Sequence, residues 1–526
     1  MQIQAVGLGQ TDLIVVAVYA FLIFGLAQFI GRDKAGERKD SADYFLASKS
    51  LPWWAIGASL IAANISAEQI IGMSGSGFAI GLAIASYEWM AAITLVLVAK
   101  YFLPIFLRNQ IYTMPQFLEL RYGGSVRLTL ALFWIGVYVF VNLTSVLWLG
   151  ALAVNTVTGL DLTLALIALG VFAGAYSLYG GLKSVALTDV IQVVLLIGGG
   201  LLITWIALDR ISEGAGVLAG FQRLTTEFPE KFDMILSKDD PNYAALPGLS
   251  VLIGGMWIMN ISYWGFNQYI IQRALAAKSL KEAQAGVIFA AFLKLLMPVI
   301  VVLPGIAALV LAPNLERPDQ AYPTLMTLLP DGAKGLVFAA LLAAIVSSLA
   351  SMTNSVATIF TMDLYKHVAK GADERRLVGV GRITAAVALI LAMVTARPLL
   401  GNFDQAFQYI QEFTGFFTPG IVVIFVLGMF WKKASSAGAL AAALGSAALS
   451  FVFKVYWPDL PFMDRVGLVF LICLVGAVLI SLVTPARAER AAVVTTEGVS
   501  FRTGPTFNLA AVCIALILAA LYATWW

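Results

Sequence analysis

Two ionisable residues stand where an apolar chain should carry none. Glu88 is followed by no other charge until Lys100, and Lys294 sits in the middle of an apolar stretch over 282–312. Ions in such surroundings are costly, pair with one another or with carbonyls, and by default mark a binding site or a pathway. A purely structural ion pair is the competing reading. The amides Asn64, Gln69, Asn260 and Gln411 lie in similarly apolar surroundings. Amides together with a carboxylate and an ammonium supply the donors and acceptors that an uncharged, polyhydroxylated solute needs. An amino-acid solute would also want a half-helix N-terminus for its carboxylate, and these residues leave that open. Tyr87, Tyr263 and Phe407 are close in sequence to the polar groups, and Phe407 precedes Gln411 by one helical turn on the same face. Such rings either pack a core or cover the apolar face of a sugar.

A second constellation suits a small hard cation. Ala344, Ser347 and Ser348 stand at i, i+3 and i+4, so one carbonyl and two hydroxyls converge beside a helix. Oxygen ligands of this kind hold a cation if an unwound, carbonyl-bearing segment faces them. Paired serines among alanines also serve tight helix packing. Enzyme chemistry has little to draw on. The single histidine, His367, lies in a charged loop, no spacing suits a metal, and no glycine-rich phosphate loop ends in lysine.

The elements that must position these residues are membrane spans. Of the 526 residues, 60% are hydrophobic and 12% charged, against about 25% charged in a soluble domain. Apolar runs of roughly 20 residues, each long enough to cross a bilayer, recur from end to end. They predict an all-α polytopic protein of about fourteen transmembrane helices, near 11–31, 52–78, 79–106, 128–157, 162–180, 186–209, 248–271, 282–312, 334–363, 377–398, 405–430, 434–454, 464–484 and 506–526. The net charge of +3 is small and sorted by loop, which gives no reason for a nucleic-acid partner. Arg32, Lys34, Arg38, Lys39 and Lys49, then Arg108, Arg121 and Arg127, and later Lys366, Lys370, Arg375 and Arg376 fall in alternate loops. The positive-inside rule puts those loops in the cytoplasm and both termini outside; the long segment 210–247 carries basic residues too but weighs little. The first basic cluster follows the first apolar run, so that run is expected to be retained as a span. Trp525 and Trp526 suit an interfacial belt. Cys473 and Cys513, both inside apolar runs, read as small buried hydrophobes.

Two spans are interrupted. The first carries Asn64, Ser66, Glu68 and Gln69 followed by Gly72, Gly75 and Gly77; the second carries Gly254, Gly255, Asn260, Ser262 and Gly265. They lie five spans apart, so each opens a five-helix block, and matched broken helices point to an inverted-repeat transporter. Glycine-mediated packing would explain either one alone. The chain then divides into an extra N-terminal helix with its cytoplasmic loop (1–51), a first repeat (52–209), an extracytoplasmic loop (210–247), a second repeat (248–430) and three further helices (431–526).

Several of these segments, read together, resemble a known family. AANISAEQ at 62–69, GMSGSG at 72–77, SYEWM at 86–90, NLTSV at 142–146, YWGFNQYIIQ at 263–272, AIVSSLASM at 344–352 and QAFQYIQE at 405–412 are similar to the bacterial sodium/galactose (sodium/glucose) cotransporters of the solute:sodium symporter family. The similarity runs over nearly the whole chain and weakens over 313–333 and beyond 485. It implies a leucine-transporter-like five-plus-five inverted repeat in a bacterial inner membrane, coupling sodium entry to hexose uptake by alternating access. By that resemblance sodium is held by carbonyls of Ala62, Ile65 and Ala344 and hydroxyls of Ser347 and Ser348, with Asp189 on its exit route. The sugar meets Asn64, Gln69, Glu88, Asn260, Lys294 and Gln411, with Tyr263 as inner gate and Met73, Tyr87 and Phe407 as outer lid. One departure stands out: Ala91 follows SYEWM where the resembling transporters carry serine. The same fold also serves proline, myo-inositol, pantothenate or sialic acid, and a membrane sugar sensor or a passive pore are readings of another class.

Overall fold

The computed structural model describes residues 7–31, 51–111, 113–177, 182–369, 374–401, 403, 405–484 and 496–526; the side chains at 24, 27–31, 177, 182–189, 367, 374 and 375 are left out of that description. The described chain is helical, and its one extended pairing is an isolated bridge between Leu51 and Ala277. In hydrocarbon every backbone N–H and C=O must be satisfied within the segment, which a helix alone achieves without a closed barrel. Nine described helices are long and apolar enough to cross a membrane, among them Leu82–Arg108, Gly124–Thr158, Leu280–Leu311 and Ala333–Tyr365. Up to eleven do so if each of two bent pairs is one span, and Gln10–Ile23 and Leu162–Tyr176 are shorter apolar helices.

The first interruption is a true break. Trp53–Asn64 and Glu68–Ala79 are bent by 61°. Ile65 leaves helical geometry (φ −73°, ψ 82°), and the Ser66 amide turns to the Asn64 carbonyl at 2.8 Å. That amide is the i+4 donor an unbroken helix would give to Ala62. In the second interrupted segment Gly254 (φ −125°, ψ −122°) separates Leu249–Ile253 from Gly255–Ile261. A π-helical turn, Ser262–Phe266, follows, and Asn267 is extended before Gln268–Leu275. A third break differs from the single smooth span expected over 405–430: Ala406–Thr414 and Thr418–Phe430 are bent by 46°. Pro419, in the first turn of the second half, has no N–H to bond back to Gly415, which explains the interruption.

The broken first span is clamped to Leu280–Leu311 by glycines. A Cβ on Gly57 would lie 2.7 Å from the Gly286 carbonyl oxygen, and one on Gly77 would lie 2.7 Å from the Val302 carbonyl oxygen. Only small residues let two helix backbones come so close. This seam sets Lys294 opposite the break.

Among the described residues, loop contacts gather at both ends of the bundle. At one end the buried Asp12 carboxylate accepts from the amides of Gly332 (2.7 Å) and Gly335 (2.9 Å), Lys231 Nζ donates to the Ala79 carbonyl, and the Met234 amide bonds to the Trp525 carbonyl. Trp525 packs against Phe221 and Phe232 of segment 210–247, while Trp526 stays exposed. At the other end Arg121 donates to the carbonyls of Gly428, Trp431 and Lys432, and Arg127 pairs with Asp363 at 3.6 Å. The N-terminal Asp12 and the C-terminal Trp525 therefore share one end.

Candidate functional site

The break in the first span, the helix Ser86–Leu97, the middle of Leu280–Leu311 and the second interrupted segment converge on one polar network. Glu88 Oε2 and Lys294 Nζ pair at 2.5 Å, with Glu88 3% and Lys294 0% exposed. Lys294 also donates to Asn64 Oδ1, and its Nζ lies 5.1 Å from the centre of the Trp264 ring. The Asn64 amide donates to Tyr263 Oη at 3.1 Å, and that hydroxyl lies 3.0 Å from Tyr269 Oη. Linked hydrogen bonds in a low dielectric reinforce one another, so Glu88, Lys294, Asn64 and Tyr263 act as one unit.

This unit borders a cavity with about 960 Å³ of empty space, counting the part open to solvent. Asn64, Gln69, Glu88, Asn260 and Gln411 line it, as do Tyr87, Tyr263, Phe407 and Ala91. Lys294, expected to meet the solute, does not reach its wall and lies behind Glu88 and Asn64, and Met73, expected in the outer lid, is fully buried outside the lining. Tyr87 and Phe407 meet edge to face at 5.0 Å. Gln69 Oε1 and Tyr87 Oη are buried without a hydrogen-bond partner. Such atoms cost about 1–3 kcal/mol each when left unpaired, so the cavity is chemically prepared for hydroxyl donors and acceptors.

Beside it a narrow cleft is lined by Ala62, Ser347 and Ser348 together with Ala63, Tyr269, Arg273 and Ser351. Ser66 turns to Asn64, as described, which withholds from the Ala62 carbonyl its usual helical donor. Ile65 and Ala344 are buried on the same two helices but outside the cleft lining. Arg273 is fixed nearby by Ser59 Oγ at 2.9 Å and by the Tyr269 carbonyl. Among the described residues no group of three or more His, Cys, Asp or Glu is gathered for a metal. The cleft offers neutral oxygens instead. The side chain of Asp189 lies outside the described residues.

A model of the sodium:solute symporter family matches residues 44–445. The chain belongs to that family. Among similar proteins, a sodium/glucose cotransporter of Vibrio parahaemolyticus is 51% identical over 99% of both chains. A sodium/myo-inositol cotransporter 2 of Mus musculus is 34% identical over 84% of this chain and 69% of its own. In fold the symporter matches a Na+-coupled sialic acid symporter in a substrate-bound, outward-open state, with TM-score 0.77 and 23% identity over 91% of this chain and 99% of that one. A nucleobase-cation-symport-1 family transporter gives TM-score 0.52 at 14% identity over 86% of this chain and 98% of that one. The protein is thus a multi-pass membrane transporter rather than an enzyme, and sodium is its co-transported ion.

The symporter's cavity also holds residues that sequence reasoning left unassigned: Glu68, Tyr138, Asn142, Ser262, Trp264 and Asn267. Glu68 and Asn142 carried a usable signal, since both are polar within apolar runs.

Proposed function

We propose that this symporter couples inward sodium movement to uptake of a hexose, glucose or galactose, by alternating access around the cavity beside Glu88. The observation that carries this reading is the cavity's balance of groups. Lys294 is committed to Glu88 and Asn64, so the pair is neutral as a unit, while Gln69 Oε1 and Tyr87 Oη remain to be satisfied. A neutral ring bearing hydroxyls answers that demand; a carboxylate-bearing solute would compete with Glu88 for the same ammonium. Asn64, Gln69, Glu88, Asn260 and Gln411 contact the solute, Lys294 completes the set, Tyr263 gates the inner side, and Met73, Tyr87 and Phe407 form the outer lid. Sodium is bound by Ala62, Ile65, Ala344, Ser347 and Ser348 and leaves past Asp189; the gathering of Ala62, Ser347 and Ser348 at one cleft supports this.

The same reading covers the architecture. Fourteen spans form a five-plus-five inverted repeat, 52–209 and 248–430, each opening on an interrupted helix, with 1–51, the loop 210–247 and three helices over 431–526 added. Both termini face outward from a bacterial inner membrane. The shared end of Asp12 and Trp525, opposite the Arg121 and Arg127 loops, supports that orientation.

The myo-inositol cotransporter relative makes that cyclic polyol the second candidate, since it offers the same hydroxyl chemistry. Uptake into proteoliposomes decides between them. A sodium gradient, compared with potassium or proton gradients, is expected to drive accumulation of radiolabelled glucose or galactose, with weaker competition by myo-inositol, proline and sialic acid. Absence of sodium-stimulated hexose uptake, or a preference for one of those competitors, would overturn the proposal.

A further inference from the structure

One buried carboxylate in the cavity wall has no part in the network around Lys294. Glu68 is 4% exposed, follows the break at Ile65, and begins the π-helical turn Glu68–Gly72. Its Oε1 has no hydrogen-bond partner. Glu88 has the Lys294 ammonium at 2.5 Å, whereas the polar group beside Glu68 is the Asn142 amide.

Around Glu68 the cavity has a second polar wall. Asn142 and Tyr138 come from another π-helical turn, Tyr138–Leu143, within the Gly124–Thr158 span. Tyr138 Oη donates to Oδ1 of Asn267 at 2.8 Å, and Asn267 is the extended residue that interrupts the second broken segment. All four line the cavity, yet the Gly124–Thr158 span supplies none of the solute contacts proposed above. Tyr263 connects the two walls: its hydroxyl bonds to Asn64 and is an electrostatic neighbour of Glu68. π-helical turns occur mostly as single-turn insertions within α-helices, frequently at functional sites.

We propose that Glu68 and Asn142 form a second hydroxyl-binding subsite that receives the solute on its way out past Tyr263. This rests on the hexose-transport reading and extends it. A carboxyl oxygen without a partner accepts from a hydroxyl, and when the group is ionised the bond is charge-assisted and stronger than one between neutral groups. Asn142 offers both donor and acceptor beside it. A sugar leaving Gln69 and Glu88 with nothing ahead of it would have to break its bonds together; a second wall lets them be exchanged in turn. A cation site is the other chemistry a lone carboxylate allows. The wall's remaining groups are amides and a phenol, and the freed Ala62 carbonyl belongs to the separate cleft at Ser347, so the solute is favoured.

Glu68→Gln and Asn142→Ala test this in proteoliposomes of defined orientation, with whichever of glucose or galactose the unaltered protein accumulates. The half-saturation concentration measured from the inward face is expected to rise about tenfold in Glu68→Gln and net efflux to slow. The value from the outward face and the sodium half-saturation should stay within about twofold. Intact sodium-dependent binding from the outward face shows that the variant folds; should Glu68→Gln not fold, Glu68→Asp keeps the carboxylate and should give a smaller inward-face change than Asn142→Ala. Equal loss at both faces with a raised sodium half-saturation, or a changed number of charges per solute, would mean a cation site and overturn the proposal. Unchanged values at both faces would make the wall structural and overturn it too. If the unaltered protein shows no sodium-driven hexose uptake, the parent reading fails; if it transports and Glu68→Gln matches it, the subsite alone fails.

Discussion

Replacing Lys294 with methionine is the sharpest test of the site's electrostatics. Lys294 is fully buried and Glu88 nearly so, and removing one partner of a buried ion pair costs about 3–5 kcal/mol because the other charge is left uncompensated. The substitution also removes the ammonium from the Trp264 ring, 5.1 Å away, worth roughly 0.5–2 kcal/mol, and takes the donor from Asn64 Oδ1. Lys294→Met should therefore destabilise the protein by about 3 kcal/mol or more. Solute binding should weaken about ten- to a hundredfold if the ammonium organises one charge-assisted hydrogen bond to the solute through Glu88 and Asn64, worth about 1.5–3 kcal/mol, since each 1.4 kcal/mol is tenfold. The companion Glu88→Gln/Lys294→Met carries no stranded charge. It should regain most of the stability while binding stays poor, because two solute-organising groups are gone. Reversible unfolding in mixed micelles, run on both single variants and the double, gives the coupling energy directly. A coupling below about 0.5 kcal/mol, or a Lys294→Met protein as stable as the unaltered one, would refute the claim that this pair is buried and mutually dependent.

Four further outcomes are expected. Ser348→Ala should fold but lose sodium-stimulated uptake; full sodium dependence in that variant would remove Ser348 from the ion site. Gly75→Ala would place a Cβ 2.7 Å from Asp319 Cα, so packing at the terminal end of the bundle should loosen, uptake should slow several-fold, and a cysteine at Phe407 should label faster from that end. Ala91 lines the cavity one turn after Glu88, so Ala91→Ser adds a hydroxyl beside the proposed sugar. Galactose competition should strengthen about two- to tenfold for one neutral hydrogen bond, and identical competition would show that Ala91 does not set selectivity. Ala369→Cys should resist an impermeant thiol reagent applied to intact cells, and ready labelling would reverse the orientation.

The parts of this protein legible in its sequence are those imposed by the bilayer. Spans could be marked out because hydrocarbon admits only apolar runs with self-satisfied backbones, and Glu88 and Lys294 could be matched because neither ion is affordable alone at that depth. The break at Ala62–Gln69 showed for a similar reason: its polar residues and glycines have no place in a smooth lipid-facing helix. Local chemistry also held the signal for the bend between Thr414 and Thr418, in Gly415 and Pro419, yet the unbroken apolar run around them read as one span. Which way each side chain points was a different matter. Lys294 stands behind Glu88 and Asn64 while Glu68, Tyr138 and Asn142 face the cavity, and periodicity within any one span cannot say so. That choice depends on how each helix is rotated and how deeply it sits. Rotation and depth are decided by contacts between spans far apart in sequence, such as Gly57 against Gly286 and Gly77 against Val302, where only the close approach of two backbones sets the register of everything between them.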